Sequence, residues 1–243
     1  MLAPPPRPQR KPRVWLIEFY GTAIGKKAVM AVTGIIGMGY VLVHMLGNLK
    51  LYQGETALGV PYINEYAEGL REIGEPILPH EGFLWIARAV LILAVILHVH
   101  AAVTLTILNR RSRPVGYKSR RSYMRANYAS LTMPITGILI LFFIIFHLFD
   151  LTWGTANPQF ESGEVYNNVV TSLDRWYVGT IYIVANLLLG LHLYHGAWSF
   201  FQSLGWNPSR FAQWRRYFAL AFTAVIVIGN VSFPIAVMTG VVG

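Results

Sequence analysis

Residues 27–49 read KAVMAVTGIIGMGYVLVHMLGNL. After the opening lysine the stretch has no charged side chain, and its one imidazole is His44. It is long and apolar enough to cross the ~30 Å hydrocarbon core of a bilayer. In lipid every backbone N–H and C=O must be satisfied within the segment, so such a stretch reads as a helix. Gly34, Gly37 and Gly47 lie along it. Gly37 is seven residues from His44 and shares its face. Glycines there let a neighbouring backbone or a flat group approach closely.

The same pattern recurs outward from this stretch. Further spans are expected at about 83–108, 128–151, 176–201 and 217–238, giving an all-α integral membrane protein with five transmembrane helices. The first four are expected to form the functional bundle. Composition agrees: 54% of the 243 residues are hydrophobic and 13% charged, where soluble domains carry about a quarter charged. Residues 1–13, MLAPPPRPQRKPR, read as a flexible cytoplasmic tail without the apolar run of a signal peptide. Residues 14–243 read as one membrane domain. Within it, 14–22 suggests a short interfacial helix. NEYAEGLREIG (64–74) suggests an amphipathic one, ended by Glu75-Pro76 and Leu78-Pro79. Residues 109–125 and 152–175 read as loops.

Charge sets the topology. The N-terminal segment, the 109–125 loop and the 202–216 connection hold sixteen Lys/Arg and one acid, Glu18. The two opposite loops and the adjoining span ends hold four basic residues and ten acids. By the positive-inside rule the N-terminus is cytoplasmic. The net charge of +9 is thereby explained, and a nucleic-acid partner is not. The chain has no cysteine, which excludes disulfides, covalent haem attachment and any iron–sulfur cluster held by its own thiolates.

Four spans carry histidine, and an ionisable group inside a span is a functional candidate. One such residue is as often a helix–helix hydrogen-bonding group; four, on four helices, point further. Depth sorts them at ~1.5 Å per residue. His44 and His147 lie on outward-running spans within roughly 10 Å of the outer edge. His98 and His192 lie on inward-running spans about 20 Å from the inner boundary. An outer layer (His44, His147) and an inner layer (His98, His192) result. Two imidazoles from facing helices at one level are what a b-type haem iron takes as axial ligands. His100 is an alternate for His98, since residues two apart cannot both face the centre. His195, three residues after His192, is an alternate there. His80 in the outer loop is a weaker candidate, suited to carrying protons.

The stretches IEFYGTAIGKKAVMAVTG (17–34), VLVHMLGNLKLYQG (41–54), NEYAEGLRE (64–72), LHVHAAVTLTILNRRSRPVGY (97–117), FHLFDLTWG (146–154) and HLYHGAWSFFQSLG (192–205) carry a resemblance. In order and spacing, over about residues 16–206, they resemble the cytochrome b membrane-anchor subunit of succinate dehydrogenase and fumarate reductase, the succinate:quinone oxidoreductases of respiratory complex II. The likeness is nearest to the single-chain, five-helix, di-haem type. It implies two haems b, one held by His44 and His147 and one by His98 and His192. His192 is favoured over His195 because Gly196 and then Trp198 follow it as in the family. It implies a flavoprotein subunit with FAD and an iron–sulfur subunit docked on the cytoplasmic face. It also implies a membrane quinone, menaquinone or ubiquinone, as electron partner, with no complete succinate site on this chain, and a place in a bacterial inner membrane. Thr22, Lys27 and Ser199 are candidates to line a quinone pocket. Arg71, Arg88 and Lys27 are candidates to pair with haem propionates. Two rival readings remain at this point: a di-haem cytochrome b of a formate dehydrogenase or hydrogenase, and a haem-free anchor or transporter.

Overall fold

The computed structural model describes residues 14–112, 124–206 and 208–243. The tail expected over 1–13 and most of the basic 109–125 loop lie outside them. Among the described residues the chain is helical, without a β-strand: α1 (Trp15–Gly21), α2 (Ala23–Asn48), α3 (Tyr62–Glu72), α4 (Gly82–Arg111), α5 (Met124–Leu151), α6 (Val165–Leu173), α7 (Trp176–Ser203) and α8 (Ala212–Met238). Five of these, α2, α4, α5, α7 and α8, are long and apolar enough to cross a membrane. The chain is a multi-pass membrane protein.

The break between α1 and α2 is made by Thr22. Its hydroxyl donates to Phe19 O (2.7 Å) and accepts from Gly25 N (2.9 Å), capping α2. Lys26 Nζ donates to the carbonyls of Tyr20 (2.9 Å) and Gly21 (3.0 Å), which close α1. A cation suits a helix C-terminus, where unpaired carbonyls gather.

The principal packing runs α4 on α2, α2 on α7, and α7 on α5, with α8 against α7 and α2. Helices in lipid associate by close packing at small residues, and glycines do this here. A Cβ on Gly190 of α7 would lie 2.5 Å from Val227 Cγ2 of α8, and one on Gly229 of α8 would lie 2.6 Å from Met45 Sδ of α2. The outward faces stay apolar and exposed, as at Ile92, Leu93 and Ile96 of α4 and Ile135, Ile138 and Phe142 of α5.

Two short helices cover the end of the bundle that carries most of the acids, hereafter the acidic end. One, α3, lies where an amphipathic helix is expected, and Tyr66 packs on the bare backbone of Gly47. The other, α6, corrects the expectation of a plain loop over 152–175. Its signal is short: Val165, Val169, Val170 and Leu173 pack inward, at helical spacing within a polar stretch. Asn168 holds it by accepting from Glu161 N (2.8 Å) and donating to Glu161 O (2.7 Å). Asn64 ties α3 to α6, accepting from Tyr166 N (2.8 Å) and donating to Glu164 Oε2 (2.9 Å).

Replacing Gly190 with alanine forces α7 and α8 apart and is expected to cost about 1–3 kcal/mol. Thermal unfolding of the solubilised protein measures it. Gly39→Ala is the control, because a Cβ there meets nothing within 4 Å, and its stability should hold or rise.

Candidate functional site

The four histidines meet as two pairs. His44 of α2 and His147 of α5 face each other with ring centres 5.9 Å apart. His98 of α4 and His192 of α7 do so at 6.3 Å. Each pair joins helices that are not neighbours in the packing order, so the rings reach across the bundle. An imidazole nitrogen binds a transition metal at about 2 Å. With ~1 Å more to each ring centre, two rings on opposite sides of one metal stand about 6 Å apart.

The hydrogen bonds assign the tautomers. Thr33 Oγ1 donates its single proton to Val29 O (2.7 Å), so its oxygen accepts from His98 Nδ1 (3.1 Å). Thr136 Oγ1 likewise donates to Thr132 O (2.8 Å) and accepts from His192 Nδ1 (3.3 Å). A proton on Nδ1 leaves the lone pair on Nε2, the state a metal-binding imidazole needs. A Cβ on Gly34 would lie 3.4 Å from His98 Cε1, and one on Gly137 the same distance from His192 Cε1. Thr-Gly therefore makes a small shelf for each ring, once on α2 and once on α5.

These shelves repeat in the chain. Thr33 precedes His44 by eleven residues, and Thr136 precedes His147 by eleven. Each of α2 and α5 thus supports the opposing pair at one level and supplies a histidine at the next. Eleven helical residues put the two levels about 16 Å apart. The repeat Thr-Gly-x9-His was the sequence signal for Thr33 and Thr136, which reading from the histidines alone does not find. Gly37 shares the face of His44, but the glycine against a histidine is Gly34.

His147 has a different partner. The Tyr182 hydroxyl donates to Asp150 Oδ2 (2.8 Å) and so accepts from His147 Nδ1 (3.2 Å). Asp150 has no solvent exposure. Its Oδ1 accepts from Arg175 Nη2 (2.7 Å), and its Oδ2 also accepts from Ser172 Oγ. Arg175 Nη1 continues to Ala156 O (2.8 Å). His44 is stacked on Tyr40, with ring centres 5.4 Å apart.

The other candidates lie apart from the two pairs. His100 is exposed and hydrogen-bonded through Nδ1 to the Tyr20 hydroxyl of α1, so it is His98 that faces His192. His195 sits a turn beyond His192 with its ring against Tyr194 (5.4 Å). His80 pairs with Glu75 (3.0 Å). Arg71 pairs with Glu68 (2.6 Å) and Glu81 (3.3 Å), and Arg88 reaches Glu81 at 3.6 Å while lying over the Trp85 ring. Thr22 is the α2 cap, Lys27 is exposed, and Ser199 donates to Gly196 O (3.2 Å).

The donor set fits haem better than a free ion. Among the described residues no three His, Asp or Glu gather into a metal site. Each pair brings two imidazoles together from two different helices, which suits a metal whose remaining ligands come with a flat macrocycle.

The model of the family described as succinate dehydrogenase/fumarate reductase transmembrane subunit matches residues 109–230, half of the chain. The match takes in α7 and the described part of α5, with His192 and His147, and most of α8. No curated protein and no solved structure matches the chain.

Removing one member of a buried ion pair strands the other, at about 3–5 kcal/mol. Arg175→Gln alone should therefore destabilise the solubilised protein more than Arg175→Gln combined with Asp150→Asn. Denaturant titration of the two variants compares them directly.

Proposed function

The chain belongs to the succinate dehydrogenase/fumarate reductase transmembrane subunit family, and we propose that within it this chain is a di-haem electron-transfer anchor. His44 and His147 would hold one haem b, and His98 and His192 the other. The observation that carries the reading is the two imidazole pairs, with ring centres 5.9 and 6.3 Å apart, at two levels of one bundle. When bound, each haem supplies a one-electron iron couple whose bis-histidine ligation favours electron transfer over oxygen binding.

The chain's own residues do the positioning. Thr33 and Thr136 hold the His98 and His192 rings by Nδ1, leaving each Nε2 for a metal, and Tyr182 does the same for His147. A haem-free anchor gives no reason for two opposed imidazole pairs in which three of the four rings have Nδ1 bonded to a hydroxyl. The family places the chain in an enzyme complex that acts on succinate or fumarate.

The positive-inside rule puts the basic end and N-terminus in the cytoplasm. The His98/His192 level is then nearer the cytoplasmic face, where a flavoprotein with FAD and an iron–sulfur subunit would dock. Electrons would pass between those clusters and a membrane quinone through the two levels, in a bacterial inner membrane.

Purified protein should yield two haems b per chain by pyridine haemochrome. His44→Ala and His147→Ala should each abolish one and the same haem, distinguished by its reduced absorption band. His98→Ala and His192→Ala should each abolish the other, while His100→Ala keeps both. Absence of haem from the unaltered protein would sink the proposal. Loss of the second haem in His100→Ala, but not in His98→Ala, would overturn the assignment on α4.

A further inference from the structure

We infer that Tyr182, backed by Asp150, Ser172 and Arg175, is a positioning group for His147 that sets the reduction potential of the iron bound there; this rests on the haem assignment above. Three of the four paired histidines have a hydroxyl at Nδ1, but the hydroxyls are not alike. Those of Thr33 and Thr136 donate to backbone carbonyls at 2.7 and 2.8 Å. That of Tyr182 donates to a carboxylate at 2.8 Å.

The carboxylate changes the acceptor. A hydrogen bond to an ionised group is roughly twice as strong as one between neutral groups, and bonds in a chain polarise one another in a low dielectric. The Tyr182 oxygen is therefore the most electron-rich of the three acceptors. It draws the Nδ1 proton of His147 more strongly and makes Nε2 the better donor. A better donor stabilises the more positive, ferric iron and lowers the potential of that couple.

The network is built to keep this setting. Asp150 ends α5, Ser172 ends α6, Arg175 caps α7 and Tyr182 lies two turns into α7. The two oxygens of Asp150 have separate duties. Oδ1 takes Arg175 (2.7 Å), which holds the buried charge. Oδ2 is shared by Tyr182 and Ser172. Ser172 thus competes with Tyr182 for one oxygen, and the two side chains should act on the iron with opposite sign. A network that only ties α5 to α6 and α7 has no reason to do so.

Redox potentiometry of the complete complex, followed in the haem bands, tests this. The wave absent from His44→Ala marks the His44/His147 level. Tyr182→Phe should raise that wave by about tenfold in the equilibrium constant for reduction, or 59 mV for one electron. Ser172→Ala should lower it, and neither should move the other wave. Two haems per chain with the Tyr182→Phe wave in its original place would overturn the inference and leave the haem assignment standing. So would shifts of the same sign in both variants, or equal movement of both waves. Should Tyr182→Phe fail to hold the haem, the sign of the Ser172→Ala shift decides alone. An unaltered complex without haem would overturn the underlying assignment instead.

Discussion

An imidazole inside a lipid layer has no water to bond. Each of its nitrogens must find a protein group or a metal, or bear the cost of several kcal/mol that an unsatisfied polar group carries there. That constraint organises this bundle. At His98, His192 and His147 one nitrogen is satisfied by a hydroxyl, and in each case the hydroxyl proton is already committed elsewhere. The second nitrogen is left without a protein hydrogen bond of this kind, in a ring that lies 5.9 or 6.3 Å from another imidazole. The helices, their glycine contacts and the two short helices at the acidic end keep these directions fixed.

The two levels are made by one device used twice. A Thr-Gly step on α2 supports His98 of α4, and a Thr-Gly step on α5 supports His192 of α7. The same two helices then supply His44 and His147 to the next level. Neither α2 nor α5 can shift along its axis without disturbing both levels at once. The fifth span, α8, brings no histidine. It packs on α7 and α2 and holds them in register through Gly190 and Gly229.

Much of this was legible in the sequence. Five spans follow from apolar runs, and the grouping of histidines by depth follows from span direction and distance to the span edges. The short helix α6 escaped because nine residues that include Asn167, Asn168, Thr171 and Ser172 give a weak periodic signal. The Thr-Gly steps were readable in principle, since their spacing to His44 and His147 is identical. The Tyr182–Asp150–Arg175 cluster was not. Asp150 and Tyr182 are 32 residues apart, and only the packing of α5 against α7, with α6 folded between, makes them neighbours. That His98 rather than His100 lies beside His192 also needed the fold: Tyr20 of α1 takes His100, a contact spanning eighty residues.

The central claim is that each imidazole pair holds one low-spin iron. Low-temperature EPR with spin quantitation, on the oxidised protein as purified, addresses it most directly. Two distinct low-spin ferric signals of the bis-imidazole type, together integrating to two spins per chain, are the expected result. A single such signal integrating to one spin per chain, or high-spin iron in place of either, would contradict the account.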